Sequence, residues 1–164
     1  MSDTTTAPAA ADAATQAALE RLNTVIDRLI APDGCPWDST QTPESLTEYV
    51  IEECHELVDA IRSGKTADMV EELGDVAFLI LMIGKLMARA GGPSLADALE
   101  VEAAKMVRRH PHVFSDTTYE NQSEQLKDWD RIKREEKAAA DAEGPKGTYD
   151  SLPRGLPPLT KSPV

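Results

Sequence analysis

Two short acidic stretches hold the residues best suited to chemistry in this chain. The first is Glu52-Glu53-Cys54-His55-Glu56 and the second is Glu71-Glu72-Leu73-Gly74-Asp75. Each contains carboxylates three residues apart, Glu53 with Glu56 and Glu72 with Asp75. On an α-helix that spacing stacks two side chains on one face, one turn apart. Four carboxylates from two neighbouring helices make a small cage of hard oxygen ligands. Such a cage suits Mg²⁺, or Mn²⁺ as the alternative, far better than Zn²⁺. The competing reading is an ordinary solvated acidic face, and periodicity separates the two.

A helix is predicted over residues 43–62. At about 100° per residue, Leu46, Val50, Cys54, Leu57 and Ile61 form one apolar stripe. Glu53 falls inside that stripe, Glu56 lies on its edge, and Glu52 points further toward solvent. An ionised carboxylate on a packing face is costly unless it is paired or bound to a metal. Ser63-Gly64-Lys65 makes a turn, and Thr66 or Asp68 is placed to cap the next helix, predicted over 66–89. From Val76 to Ile83 that helix is apolar all round. A helix without a polar face is buried on every side, more than one small domain can cover, so an oligomer is expected. Glu72 shares a meridian with Val76, Leu79 and Ile83, and Asp75 lies near Leu79, Met82 and Leu86. Helices joined by a short turn are antiparallel neighbours. Glu53 and Glu56 are therefore expected within reach of Glu72 and Asp75.

The remaining elements frame this pair. A first helix is predicted over 15–30 from Leu19, Leu22, Val25, Ile26, Leu29 and Ile30. A loop from Cys35 to Thr42 follows, with Thr42 as N-cap, Pro43 at the first helical position, and Ser45 with Glu48 as a capping box. After Ala90-Gly91-Gly92-Pro93, Ser94 caps a fourth helix that runs to Arg109, and a fifth is predicted over 121–140. The expected fold is all-α, a bundle of four to five helices whose four-helix-type core is completed by oligomerisation. Residues 1–16 read as a disordered leader, since they lack the basic start and apolar core of a signal peptide. Residues 17–140 read as the domain and 141–164 as an extended or disordered tail.

Charge narrows the partners. Lys and Arg number 17 against 29 Asp and Glu, a net −12. That argues against binding a nucleic acid polymer, which needs a basic footprint. It does not argue against a nucleotide, because metal ions reverse the sign of an acidic site. The charge is also segregated: residues 44–75 hold two basic and ten acidic groups, and 105–137 hold eight basic and seven acidic. Metal ligands in the first stretch and phosphate ligands in the second fit this division. Cys35 and Cys54 form no CxxC pattern and read as reduced thiols of a cytoplasmic protein. The longest apolar run falls far short of the roughly 20 residues a membrane span needs. A di-iron bundle would require Glu-x-x-His pairs, which are absent. His110 and His112 flank a proline at a helix end and read as structural. No P-loop, dinucleotide fingerprint or nucleophile motif occurs.

In combination these pieces resemble the MazG family of nucleoside triphosphate pyrophosphohydrolases, from about Leu19 to Leu159. The motifs come in the family's order: Cys35-Pro36-Trp37-Asp38 with Gln41-Thr42, then Glu52-Glu53-x-x-Glu56, then Glu71-Glu72-Leu73-Gly74-Asp75. Lys105-Met106-Val107-Arg108-Arg109-His110-Pro111-His112-Val113-Phe114 follows, then Trp129-x-x-Ile132-Lys133 with Glu136-Lys137. The resemblance implies an Mg²⁺-dependent all-α homo-oligomer, dimer or tetramer, that converts (d)NTPs to monophosphates and pyrophosphate in nucleotide-pool house-cleaning. It implies Glu53, Glu56, Glu72 and Asp75 as metal ligands and Glu52 as an accessory acid. Lys105 and Arg109 would meet the triphosphate, Trp129 and Lys133 would close the site, and Trp37 would stack on or wall off the base. His55 stands where many relatives carry an aromatic residue, which bears on substrate preference. The chain carries a single such module. Two alternatives stand beside this reading. One is a specialised relative acting on dUTP, dCTP or phosphoribosyl-ATP; the other is a catalytically silent helical dimer.

Overall fold

The computed structural model describes residues 6–141, with side chains over 11–139, and every regular element in that range is helical. The expected tail lies almost wholly outside the described residues. Six α-helices follow in order: α1 (Thr6–Leu29), α2 (Thr47–Ser63), α3 (Thr66–Arg89), α4 (Leu95–Arg109), α5 (Pro111–Phe114) and α6 (Gln122–Asp141). A 3₁₀ turn, Asp38–Thr40, sits between α1 and α2. The chain divides into two compact units, one ending at Leu99 and the other starting at Glu100.

Three boundaries differ from the periodicity. First, α1 begins at Thr6 and takes in much of the stretch expected as a leader. Its first turns are rich in Ala, the strongest helix former, and need no apolar stripe to be helical. Second, α2 starts at Thr47, because Thr42 and Ser45 close a box ahead of it: each backbone N–H donates to the other's hydroxyl, at 3.0 and 3.2 Å. Neither α2 nor α3 has a side-chain N-cap bond, so the capping roles expected of Glu48, Thr66 and Asp68 are not realised. Third, the one-turn α5 was not predicted, and the helix expected fifth is the sixth. Pro111 opens α5 and pre-sets its first turn. The Ser94 cap is as predicted: the Ser94 N–H donates to Asp97 Oδ2 at 2.7 Å, and the Asp97 N–H to Ser94 Oγ at 3.3 Å.

The first unit is built on α3. Packed against it are α2, its antiparallel hairpin partner, and α1. Gly64, in the left-handed region at φ 71°, ends α2 and lets the chain reverse. The core gathers Ile26 and Ile30, then Leu46 just ahead of α2, and Leu79, Leu81, Met82 and Leu86 of α3. Burial of such side chains contributes roughly 1.5–3 kcal/mol each. Gly84 lets the start of α4 come close, since a Cβ there would lie 2.6 Å from that of Leu95. Polar ties fix the same end. Lys85 Nζ reaches Asp27 at 2.7 Å, and Arg89 donates to the carbonyls of Ile30 and Ser39 at 3.0 and 3.3 Å.

The second unit is held mainly by polar contacts. Glu136 of α6 accepts Arg109 Nε and Nη2 at 2.9 and 2.8 Å, and Arg108 Nε at 3.1 Å. Tyr119 donates its hydroxyl to Asp128 at 2.7 Å, which ties the loop ahead of α6 to that helix. His110 Nδ1 lies 2.7 Å from the Met106 carbonyl, and His112 Nε2 lies 3.2 Å from Gln125 Nε2. Both histidines thus serve the turn around Pro111, as expected.

Candidate metal centre

The hairpin delivers the acidic residues to one place. Glu53 and Glu56 stand one turn apart on α2, and Glu72 projects from the second turn of α3. One carboxylate oxygen from each of Glu53, Glu56 and Glu72 lies within 4.8 Å of the others. Glu53 and Glu72 are half-buried and Glu56 is exposed, in line with the stripe geometry. Asp75, the fourth expected ligand, is exposed and stands outside that group. Glu52 is also exposed.

Burial, followed by the charges of Asp75, Glu56 and Glu52, raises the Glu53 carboxyl above the usual range, partly offset by the Glu72 carboxyl. Burial and the charges of Glu56, Glu53, Glu71 and Asp75 raise Glu72 as well. Each of these two acids is pushed toward its neutral form by burial and by like charge. The donor set fits a hard divalent ion. An octahedral Mg²⁺ binds oxygens at about 2.0–2.1 Å, so ligands across it stand about 4 Å apart. Adjacent ligands stand about 3 Å apart, and three oxygens within 4.8 Å of one another are close to the spacing such an ion needs.

Trp37 stands at the entry to the 3₁₀ turn with its ring 49% exposed. Its backbone carbonyl accepts the Thr40 hydroxyl at 2.9 Å and Gln41 Nε2 at 3.0 Å. The ring meets Tyr49 of α2 edge-to-face, with centroids 5.7 Å apart and planes at 90°. Sequence reasoning missed Tyr49. It sits outside the apolar stripe, and only the loop conformation brings Trp37 to it.

The expected phosphate ligands lie in the second unit, already engaged. Lys105 pairs with Glu102 one turn earlier on α4. Arg109 forms the fork with Glu136 and also lies over the Trp129 ring, 5.8 Å from its centroid. Lys133 sits over the same ring at 4.3 Å and has no carboxylate partner among the described residues. Arg109, Trp129 and Lys133 are thus brought together, with Glu136 as an acidic partner whose role the sequence alone did not reveal. Hydrogen bonding from Arg109 holds the Glu136 carboxyl below its usual range. Cys35 and Cys54 are both free thiols. Among the described residues no helix is long and apolar enough to cross a membrane.

Known proteins give this geometry a family. Residues 41–114 match the MazG nucleotide pyrophosphohydrolase domain, a span that includes Glu52, Glu53, Glu56, Glu72 and Asp75. The chain is 37% identical over 145 residues to a nucleoside triphosphate pyrophosphohydrolase of Escherichia coli, covering 88% of this chain and 54% of that protein. It is 41% identical to the uncharacterized protein YabN of Bacillus subtilis, covering 84% of this chain and 27% of YabN. The chain therefore spans about half or less of the length of these relatives. In three dimensions it is similar to a mazG-related protein from Thermotoga maritima, with a TM-score of 0.60 and 29% identity over 70% of this chain and 98% of that one. On this domain match and these relatives, residues 41–114 belong to the MazG family.

Proposed function

We propose that this chain is a divalent-metal-dependent nucleoside triphosphate pyrophosphohydrolase that converts (d)NTPs to (d)NMPs and pyrophosphate. The observation that carries the reading is the convergence of Glu53, Glu56 and Glu72 within 4.8 Å. These three would hold Mg²⁺, with Asp75 one turn beyond Glu72 as the fourth ligand. When bound, the ion would supply positive charge to the phosphates and would lower the pKa of a water. The carboxylates of Glu53 and Glu56 fix the place of charge neutralisation. Glu52, on the solvent side of the same turn, accepts a proton from the attacking water. In the second unit, the cations suited to phosphate are Lys133 and Arg109, both held over the Trp129 ring. Lys105 can add to this once released from Glu102. No covalent intermediate is needed.

Self-association belongs to the same proposal. Ile51, Val58 and Ile61 leave an exposed stripe on α2, and Leu73 and Ile80 leave one on α3, with Leu73 60% exposed. Apolar stripes on both helices of one hairpin are what a second copy would cover to complete a four-helix core. The setting we assign is removal of surplus or aberrant nucleotides in the cytoplasm, where thiols such as Cys35 and Cys54 stay reduced.

A panel of NTPs and dNTPs with Mg²⁺, scored for pyrophosphate against orthophosphate, tests the reaction. Pyrophosphate release from at least one nucleotide is expected, and none at micromolar protein would sink the proposal. Glu53→Gln and Asp75→Asn should each lower kcat by about 100-fold or more, with helicity unchanged. If either variant keeps near-full activity, the ligand set is wrong.

A further inference from the structure

The Trp37–Tyr49 pair is unusual for a chain so poor in aromatic residues. Only seven of the 164 residues are Phe, Trp or Tyr. Two of them stand together at the surface, 49% and 41% exposed. An edge-to-face contact is worth about 0.5–1.5 kcal/mol, yet burial of either ring would be worth more. The backbone beneath both is held in place. Tyr49 lies in the first turn of a helix. The Trp37 carbonyl is fixed by Thr40 and Gln41, and the next turn is tied down by Arg89 through Ser39. Rings set at right angles form a corner, with one face to stack on and one edge to meet.

The corner is aligned with the carboxylates. Tyr49 precedes Glu53 by four residues and Glu56 by seven, so both acids project within about 40° of Tyr49 along α2. The axial steps are about 6 and 10 Å at about 1.5 Å per residue. That is the order of separation a pentose imposes between a base and its phosphates. No basic side chain stands within this face of the helix from Tyr49 to Glu56, so the corner offers π-surface and a hydroxyl but no charge.

We propose that Tyr49 is a base-contacting residue, which together with Trp37 forms the corner that receives the nucleobase of the triphosphate. This inference rests on the pyrophosphohydrolase reading and deepens it. The base stacks on one ring, and the edge of the other limits how far it slides. Stacking of this kind is worth about tenfold or more in affinity per base.

The test is calorimetry at fixed Mg²⁺ with two probes, the α,β-imido analogue of ATP and inorganic tripolyphosphate, which has no base. In the wild type the nucleotide analogue should bind about tenfold more tightly than tripolyphosphate. Tyr49→Leu should weaken the analogue about tenfold and leave tripolyphosphate unchanged, whereas Tyr49→Phe should keep most of the analogue's affinity. The proposal is overturned if Tyr49→Leu leaves the analogue within twofold, or if it weakens both probes alike, which would mark a structural role. Binding of neither probe by the wild type would overturn the pyrophosphohydrolase reading itself.

Discussion

Glu72 shows how a side chain proposed to hold a metal can be costly to the protein without one. Burial and four neighbouring carboxylates raise its proton affinity. For an acid raised in the folded state, the sign is fixed. Its favourable contribution is present below the unfolded pKa near 4.5 and is lost as pH rises through the folded pKa. At neutral pH the metal-free protein therefore carries the repulsion. Glu72→Gln should raise the melting temperature in EDTA while abolishing the further rise that Mg²⁺ gives the wild type. Thermal melts with and without Mg²⁺ check both, and a variant that keeps the full Mg²⁺ shift would remove Glu72 from the ligand set. The convergence of Glu53, Glu56 and Glu72 was legible in the sequence because helical spacing and position on the stripe are local quantities. Tyr49 and the Arg109–Glu136 fork were not. Both depend on which partner a side chain meets after the chain has turned, and spacing does not encode that.

At the level of elements, helix existence was legible from apolar periodicity, while the ends were not. The Thr42–Ser45 box delays α2, and the Ala-rich lead lengthens α1 beyond its stripe. One turn of helix such as α5 has too few residues to show a period. Within the second unit, the contact between α4 and α6 depends on Glu136, whose carboxyl the Arg109 guanidinium holds below its usual range. The sign here is the reverse of that for Glu72. The stabilisation is present above the unfolded pKa near 4.5 and is lost as pH falls through the depressed folded value. Amide exchange along α6 should accelerate as pH is lowered below about 4.5, after correction for intrinsic exchange. In Glu136→Gln that acid step should shrink and protection at neutral pH should fall by about 2 kcal/mol. Unchanged protection in the variant would show that other contacts hold α6.

For the whole molecule, the core accounts for only part of the apolar side chains. Ile80 of α3 remains outside it, although periodicity placed Val76 to Ile83 in an interior, and Leu73 before that stretch is exposed as well. The expectation of complete burial fails within one chain, because α1 and α2 cover only part of the α3 surface. Leu73→Glu places a charge in the exposed stripe between the two acidic ligands without touching the core. If the proposed self-association is right, sedimentation should show an oligomer for the wild type and a protomer of 17.8 kDa for the variant. If wild type and variant sediment alike, the stripes are not the interface.

The turn at Gly64 has a kinetic side. It brings Glu53 and Glu72 together within a single hairpin, while α1 must join from the other side of the 3₁₀ turn. Local contacts of this kind close early, since short loops lose little entropy on closure. Repulsion among the acids is then present in the folding transition state. Mg²⁺ should accordingly accelerate refolding more than it slows unfolding, and the two limbs of a stopped-flow chevron would tell which rate the ion controls.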